Sequence, residues 1–479
     1  MKFRKPLRLA YFFAFALLVS FSATVVFRAK AFFRPQELSE VQKKEQEKKL
    51  EEFLLFEYPE HGKNLIPLPY GTDQVNLDVW ADSAICVDVA NGNILYEKNA
   101  DEPVPPASMT KLFAMYVVLN EVRNGNISLS DIVPLPPECW ACNMPPHSSL
   151  MFLGKNQIVT VRELLTGLSV CSGNDAAYAL AFFTFGGMEE FVRRMNDVAL
   201  SMGLSNTRFV ESSGYSERNR TTARDMASFS RAYIRSFPEA MEFHSALSFS
   251  YPKLKNLSPE DRAKERSQDF SKGLPENITM EITQNNTNPL LALLKGCDGL
   301  KTGYIDESGY NLSLTCKRDG IRFLSVTMRG PGKNQSEGQA GRVHDGKEIM
   351  EWAFRTFREY RNPLVLRPYS IPVFYSERSR LELVPAWKSE SLLVPSVLAK
   401  NPEKAENEVA VKVDFPDFIN DGYIPMGKIY GKIEYSVSGT VLETIPLVSA
   451  RELKKVNFWL RSADFAVQII YRIKCRVRA

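Results

Sequence analysis

Histidine is scarce in this chain of 479 residues. The four present, His61, His147, His244 and His344, include no H-E-x-x-H pair, so the usual platform of a zinc peptidase is missing. Net charge is lacking too. Sixty Lys and Arg against 56 Asp and Glu leave +4, too little to argue for a nucleic-acid partner. Acidic residues are absent from residues 1–36, which hold seven Lys and Arg, and residues 451–479 hold eight Lys and Arg against two acids. Both ends therefore read as membrane contacts. Cysteines number seven, so they cannot all pair internally. Cys139-Trp-Ala-Cys142 sits in a Pro-rich loop with no second pair and no metal-spaced histidine, which leaves a loop disulfide or two free thiols rather than a zinc site. Cys171 reads as a small buried hydrophobe.

An apolar fraction of 44% and a charged fraction of 24% over this length support a sizeable core and two or more domains. Behind Lys2, Arg4, Lys5 and Arg8, the apolar run Leu9 to Phe27 is 19 residues long, enough for a bilayer core of ~30 Å. It predicts either a signal anchor or a signal peptide cut at Ala29-Lys30-Ala31, with export of the remainder in both cases. We divide the chain into 1–31, this anchor or signal; 32–75, a charged helical spacer and linker; 76–360, the main domain; 361–450, a small all-β domain; and 451–479, an amphipathic segment.

Within the main domain, alternation over Ala84–Val89 and Ile94–Tyr96 around Asn91-Gly92 predicts a hairpin. Helical spacing follows from Ser108, over Val161–Val170, Asp175–Phe185, Glu189–Met202 and Thr222–Arg235. Residues 251–285 are polar and aperiodic and read as a long surface insertion. Strands are predicted around Asn311–Thr315 and Arg322–Thr327, and a closing helix over Val343–Phe357. The fold class is therefore α+β, an antiparallel sheet flanked by helices. In the last segment Val456, Trp459, Leu460, Ala463, Val467, Ile470 and Tyr471 form one stripe edged by Lys454, Lys455, Arg461 and Arg472. A membrane-interface helix and a helix docked on the β domain are both open.

Three motifs carry chemistry: Ser108-Met109-Thr110-Lys111, Ser172-Gly173-Asn174 and Lys301-Thr302-Gly303. Singly, each has a plain explanation as a helix cap, a turn or an edge charge. Together, in this order, they match S-x-x-K, S-x-N and K-T-G. Ser108 opens a helix, so Lys111 lies one turn on and within reach of its hydroxyl. A serine needs such a base, and a lysine serves as one only if burial or nearby positive charge, for which Lys301 is a candidate, lowers its pKa.

The surrounding segments extend the match. Pro106–Leu112, Ser169–Ala177, Thr222–Ala227 and Gly299–Tyr304 resemble the low-molecular-mass penicillin-binding proteins, the serine D-Ala-D-Ala carboxypeptidases, over about residues 76–360. The β domain and final helix resemble that family's stalk and anchor more loosely. The resemblance implies a β-lactamase/penicillin-binding-protein-like fold and a set of roles. Ser108 is the nucleophile, Lys111 the general base, and Ser172 a proton relay. Asn174, Lys301, Thr302, Gly303 and Tyr304 bind substrate, with the N–H groups of Ser108 and Tyr304 as oxyanion hole. It implies a peptidoglycan pentapeptide as substrate, β-lactams as covalent inhibitors, an extracytoplasmic membrane location, and no metal or cofactor. Departures are Cys171, Ser308 in place of a frequent alanine, and the long insertion. One alternative is a serine β-lactamase, disfavoured because no E-x-x-L-N lies between Asp175 and Leu300. Another is a non-catalytic, membrane-tethered peptidoglycan-binding scaffold, against which the intact motifs argue. Endopeptidase action on cross-links is a variant of the main reading.

Overall fold

The computed structural model describes residues 17–30, 39–71, 75–263, 268–388 and 391–478. Two compact units result: Asn64–Phe357, and a second assembled from both ends, Met1–Lys63 with Arg358–Ala479. The longer helices are α1 (17–30), α2 (Glu40–Glu57), α3 (Thr110–Arg123), α4 (Val161–Val170), α5 (Asn174–Phe185), α6 (Met188–Ser201), α7 (Ala223–Ser236), α8 (Gln335–Thr356) and α9 (Phe458–Arg478).

The first unit is built on six strands: β1 (Ile66–Pro67), β2 (Ser83–Asp88), β3 (Asn93–Lys98), β4 (Cys297–Ile305), β5 (Gly309–Arg318) and β6 (Ile321–Gly330), in the order β1-β3-β2-β6-β5-β4. All pairs are antiparallel except β1 with β3. β2 is buried at every position, as expected for a strand in mid-sheet with both faces covered. The alternation of β5 shows what covers them. Ser313 bonds Ser230 of α7, while Leu312 and Leu314 lie against Gly346 of α8. Helices α7 and α8 therefore flank opposite faces. α3 is buried from Thr110 through Met115, and its Phe113 stacks on Phe229 of α7 with centroids 3.5 Å apart. This is the central helix that carries Lys111. Side-chain caps start the neighbours: Thr160 and Glu163 form a reciprocal capping box on α4, and Thr222 caps α7.

One expectation about this unit changes: the closing helix begins at Gln335, capped by Asn334, eight residues before the predicted start. The 251–285 stretch, read as a surface insertion, is tied to the body. Its ends pair as strands Ser248–Tyr251 and Ile282–Asn285, Ile278 and Leu257 are buried, and its backbone bonds residues 155 and 158.

In the second unit β7 (Tyr369–Pro372), β8 (Arg380–Pro385), β9 (Val409–Asp414), β10 (Ile429–Val437) and β11 (Thr440–Ser449) form an antiparallel sheet in the order β7-β8-β11-β10-β9. α9 runs to Arg478. Its predicted stripe splits. Ala463 and Val467 are buried, whereas Trp459 and Ile470 are exposed, so the helix both docks and presents apolar side chains. No described helix is long and apolar enough to cross a membrane. The first part of the N-terminal apolar run, residues 9–16, lies outside the described residues. The six cysteines whose side chains are described are all free thiols, Cys139 and Cys142 among them.

Candidate active site

Ser108 lies in a 3-10 turn, Ala107–Met109, that runs into α3. One turn on, Lys111 Nζ is 3.0 Å from Ser108 Oγ. Two further acceptors share that nitrogen: Asn174 Oδ1 at 2.8 Å and the Ser213 carbonyl at 2.5 Å. Neither can donate: an ammonium gives one N–H to each of the three oxygens, whereas the neutral amine gives its two N–H bonds to these two and turns its lone pair to the Ser108 hydroxyl. Lys111 is completely buried, and burial pushes its pKa down to about 7 against the pull of Glu211 and Asp175. Burial does the lowering, the first of the two sources that the sequence left open.

The second motif follows α4. Ser172 sits at φ 58°, a strained conformation for a residue with a Cβ. Its Oγ is buried and has no hydrogen-bond partner among the described residues. Asn174 opens α5. Asp175 behind it accepts backbone N–H bonds from Met151 at 2.8 Å, Leu153 at 3.0 Å and Ala176 at 2.9 Å, fixing residues 151–153 against the helix.

The third motif lies on β4, where Lys301, Thr302 and Gly303 pair with Ser313, Leu312 and Asn311. Lys301 is buried, and its Nζ donates to the Thr302 carbonyl at 3.1 Å. Burial holds its pKa well below the usual lysine range, reinforced by Lys111 and Arg342. Thr302 Oγ1 donates to Thr287 Oγ1 at 2.8 Å. Tyr304 is 46% exposed, stacks on Tyr310 at 4.4 Å, and donates its hydroxyl to Asp306, which with burial takes its pKa up to about 12. Behind β4 a buried His244 meets Ser169 Oγ at 2.8 Å, the Tyr233 hydroxyl at 2.9 Å and the Leu300 carbonyl at 3.1 Å. Burial drives its pKa to about 3, so this imidazole is a neutral tie between helices and strand.

The eight residues singled out from sequence thus lie on the three segments that converge here, with contacts drawn directly between Ser108, Lys111 and Asn174. Others emerge only in three dimensions. Glu211 accepts from the Ser213 N–H at 2.7 Å, Ser213 Oγ at 2.6 Å, the Gly214 N–H at 2.7 Å and Asn219 Nδ2 at 2.8 Å, so it shapes the loop whose Ser213 carbonyl meets Lys111. Arg342 of α8 donates to the Gly303 carbonyl at 2.5 Å and the Asn311 carbonyl at 3.1 Å. No sequence pattern singled out this loop or Arg342.

Residues 71–332 match the family model for D-alanyl-D-alanine carboxypeptidases. The chain belongs to that family. This carboxypeptidase is 29% identical over 410 residues, 84% of its length, to the D-alanyl-D-alanine carboxypeptidase DacA of Escherichia coli K12, covering 89% of that protein. It is 28% identical to DacF of Bacillus subtilis 168, over 79% of its own length and 87% of the relative's. Among solved structures, penicillin binding protein 5 of Haemophilus influenzae aligns with a TM-score of 0.63 at 26% identity, over 80% of this chain and all of that one. The chain is a serine hydrolase of this family with the penicillin-binding-protein fold, a separate all-β domain and a C-terminal helix.

Proposed function

We propose that Ser108 is the nucleophile with which this carboxypeptidase removes the terminal D-Ala of peptidoglycan stem peptides. Neutral Lys111 takes the hydroxyl proton as Ser108 Oγ attacks the carbonyl carbon of the penultimate D-Ala. The C–N bond then breaks, and the departing amine collects a proton from Lys111 by way of the Ser172 hydroxyl. Water attacks the resulting ester, Lys111 again takes the proton, and Ser108 is restored. Asn174 holds the peptide backbone. Lys301 and Thr302 hold the terminal carboxylate, whose charge restores to Lys301 the proton that burial disfavours. The N–H groups of Ser108 and Tyr304 receive the oxyanion. The observation that carries this reading is Lys111 Nζ, buried between two acceptor-only groups, 3.0 Å from Ser108 Oγ.

Penicillins acylate the same serine; similarity to a protein titled penicillin binding protein 5 supports this. The β-lactamase reading is weaker. That class needs a glutamate for deacylation, no E-x-x-L-N lies between Asp175 and Leu300, and Glu211, the acid beside Ser213, turns both carboxylate oxygens to its own loop. The enzyme acts at the extracytoplasmic face of the membrane, held there in part by α9, whose Phe458, Trp459 and Phe465 are exposed beside Arg461. Release of free D-Ala from a pentapeptide ending in D-Ala-D-Ala tests the assignment. Wild type releases it and Ser108→Ala does not; release by a folded Ser108→Ala protein, or its covalent labelling by penicillin, would place the nucleophile elsewhere.

A further inference from the structure

The second unit contains an ion pair that joins the two ends of the chain and that the reaction does not use. Arg28, near the end of α1, donates from Nε and Nη2 to the two carboxylate oxygens of Asp464 at 2.6 Å each, and from Nη2 to the Ser376 carbonyl at 2.8 Å. Asp464 also accepts the Tyr375 N–H at 2.8 Å. The two side chains are only 6% and 5% exposed. Around them Val25 and Ala29 of α1 pack with Val467 and Tyr471 of α9 and with Phe374 and Phe418. A carboxylate on the docked face of an amphipathic helix is out of place alone, because a buried charge without a partner is strongly destabilising. Here it has a bidentate partner of matching geometry. The cation lies one residue beyond the apolar run Leu9–Phe27, inside the segment that processing at Ala29-Lys30-Ala31 would remove.

We propose that the N-terminal apolar segment is retained in the mature protein and clasps α9 through Arg28 and Asp464, so that both helices engage the lipid bilayer as one anchor. This rests on the membrane attachment proposed above. The bilayer is the partner that fits. Leu18 and Phe27 of α1 are exposed, as are Phe458, Trp459, Phe465 and Ile473 of α9, and Arg461 and Arg472 supply positive charge for anionic headgroups. A cleaved chain would keep Asp464 on the docked face and lose its cation.

The test begins with the full-length chain made in a bacterial host, recovered from membranes in detergent and read by intact mass and peptide mapping. Peptides containing Arg28 are expected. A chain that fractionates with membranes yet begins at Ala31 or later overturns the clasp and leaves attachment by α9 standing. A chain with its N-terminus intact that is washed off by alkaline carbonate overturns the lipid assignment itself. Hydrogen exchange then reads the pair. Arg28→Ala and Asp464→Ala should each speed exchange over residues 458–470 about tenfold or more. The double variant should be no faster than either single one, since one interaction is lost in all three. Unchanged exchange in the single variants, or additive effects in the double, would overturn the pairing.

Discussion

The sharpest expectation concerns the pH at which Ser108 becomes reactive. An ordinary lysine, at 10.5, is neutral in about one molecule in 3,000 at pH 7; with its pKa brought to about 7, Lys111 is neutral in about half. The difference corresponds to about 5 kcal/mol in favour of the uncharged base. Acylation by a fluorescent penicillin, followed as a second-order rate constant, should therefore rise about tenfold per pH unit on the acid side and level off above neutrality. Glu211→Gln tests the cause. The path from Lys111 Nζ through Ser213 to Glu211 Oε2, built from contacts of 2.5 Å and 2.7 Å, bounds the charge separation at about 9 Å with ordinary bond lengths. At an effective dielectric of ~20, that carboxylate stabilises the ammonium by about 1.8 kcal/mol or more. Its negative charge raises the pKa of Lys111, so neutralising it lowers that pKa. The acid limb should move to lower pH by a little over one unit, while any loosening of the loop lowers the plateau and not the midpoint. A wild-type midpoint above pH 9 would refute the neutral-base reading. A midpoint that stays put or moves up in Glu211→Gln would refute the electrostatic role of Glu211.

Ser172→Ala should lower turnover of the pentapeptide about 100-fold or more, the scale of a lost proton-transfer group. Its melting temperature should hardly move, because Ser172 Oγ has no partner among the described residues. Equal turnover would remove Ser172 from the reaction. Asp175→Ala should cost about 3 kcal/mol or more in urea unfolding, since three backbone N–H groups lose their acceptor together. A cost below about 1 kcal/mol would mean that residues 151–153 hold their own course.

The parts of the site legible in sequence are those whose spacing is local. Ser108 and Lys111 lie one helical turn apart, and helical spacing runs on from Ser108. The loop 211–219 has no such signal. Ser213 meets Lys111 through its main-chain carbonyl, which every residue possesses, so its identity is silent. Arg342 acts on Gly303 across 39 positions of chain, and nothing in the local pattern of α8 distinguishes it from a solvated arginine. The same limit applied to α9. A period of 3.6 finds an apolar stripe, but not that Ala463 and Val467 bury while Trp459 stays out. Asp464, the acid in its midst, makes sense only once Arg28, 436 positions away, is beside it.

What holds Ser108 still is largely main chain. Ala107 takes φ 48°, an uncommon conformation for a residue with a Cβ, and the segment is pinned from two sides by glycines that let other strands of chain come within contact. A Cβ on Gly214 would lie 1.8 Å from the Ala107 carbonyl oxygen, and one on Gly303 would lie 2.6 Å from the Pro106 carbonyl oxygen. Asn311 closes the clamp by donating to the Pro105 carbonyl at 3.0 Å. Residues 105–107 are thus gripped through their carbonyls by the Glu211 loop, by β4 and by β5. That leaves the Ser108 hydroxyl essentially one freedom, rotation about its own Cα–Cβ bond between Lys111 and the substrate. Pre-set geometry of this kind offsets the strain stored at Ala107 and Ser172.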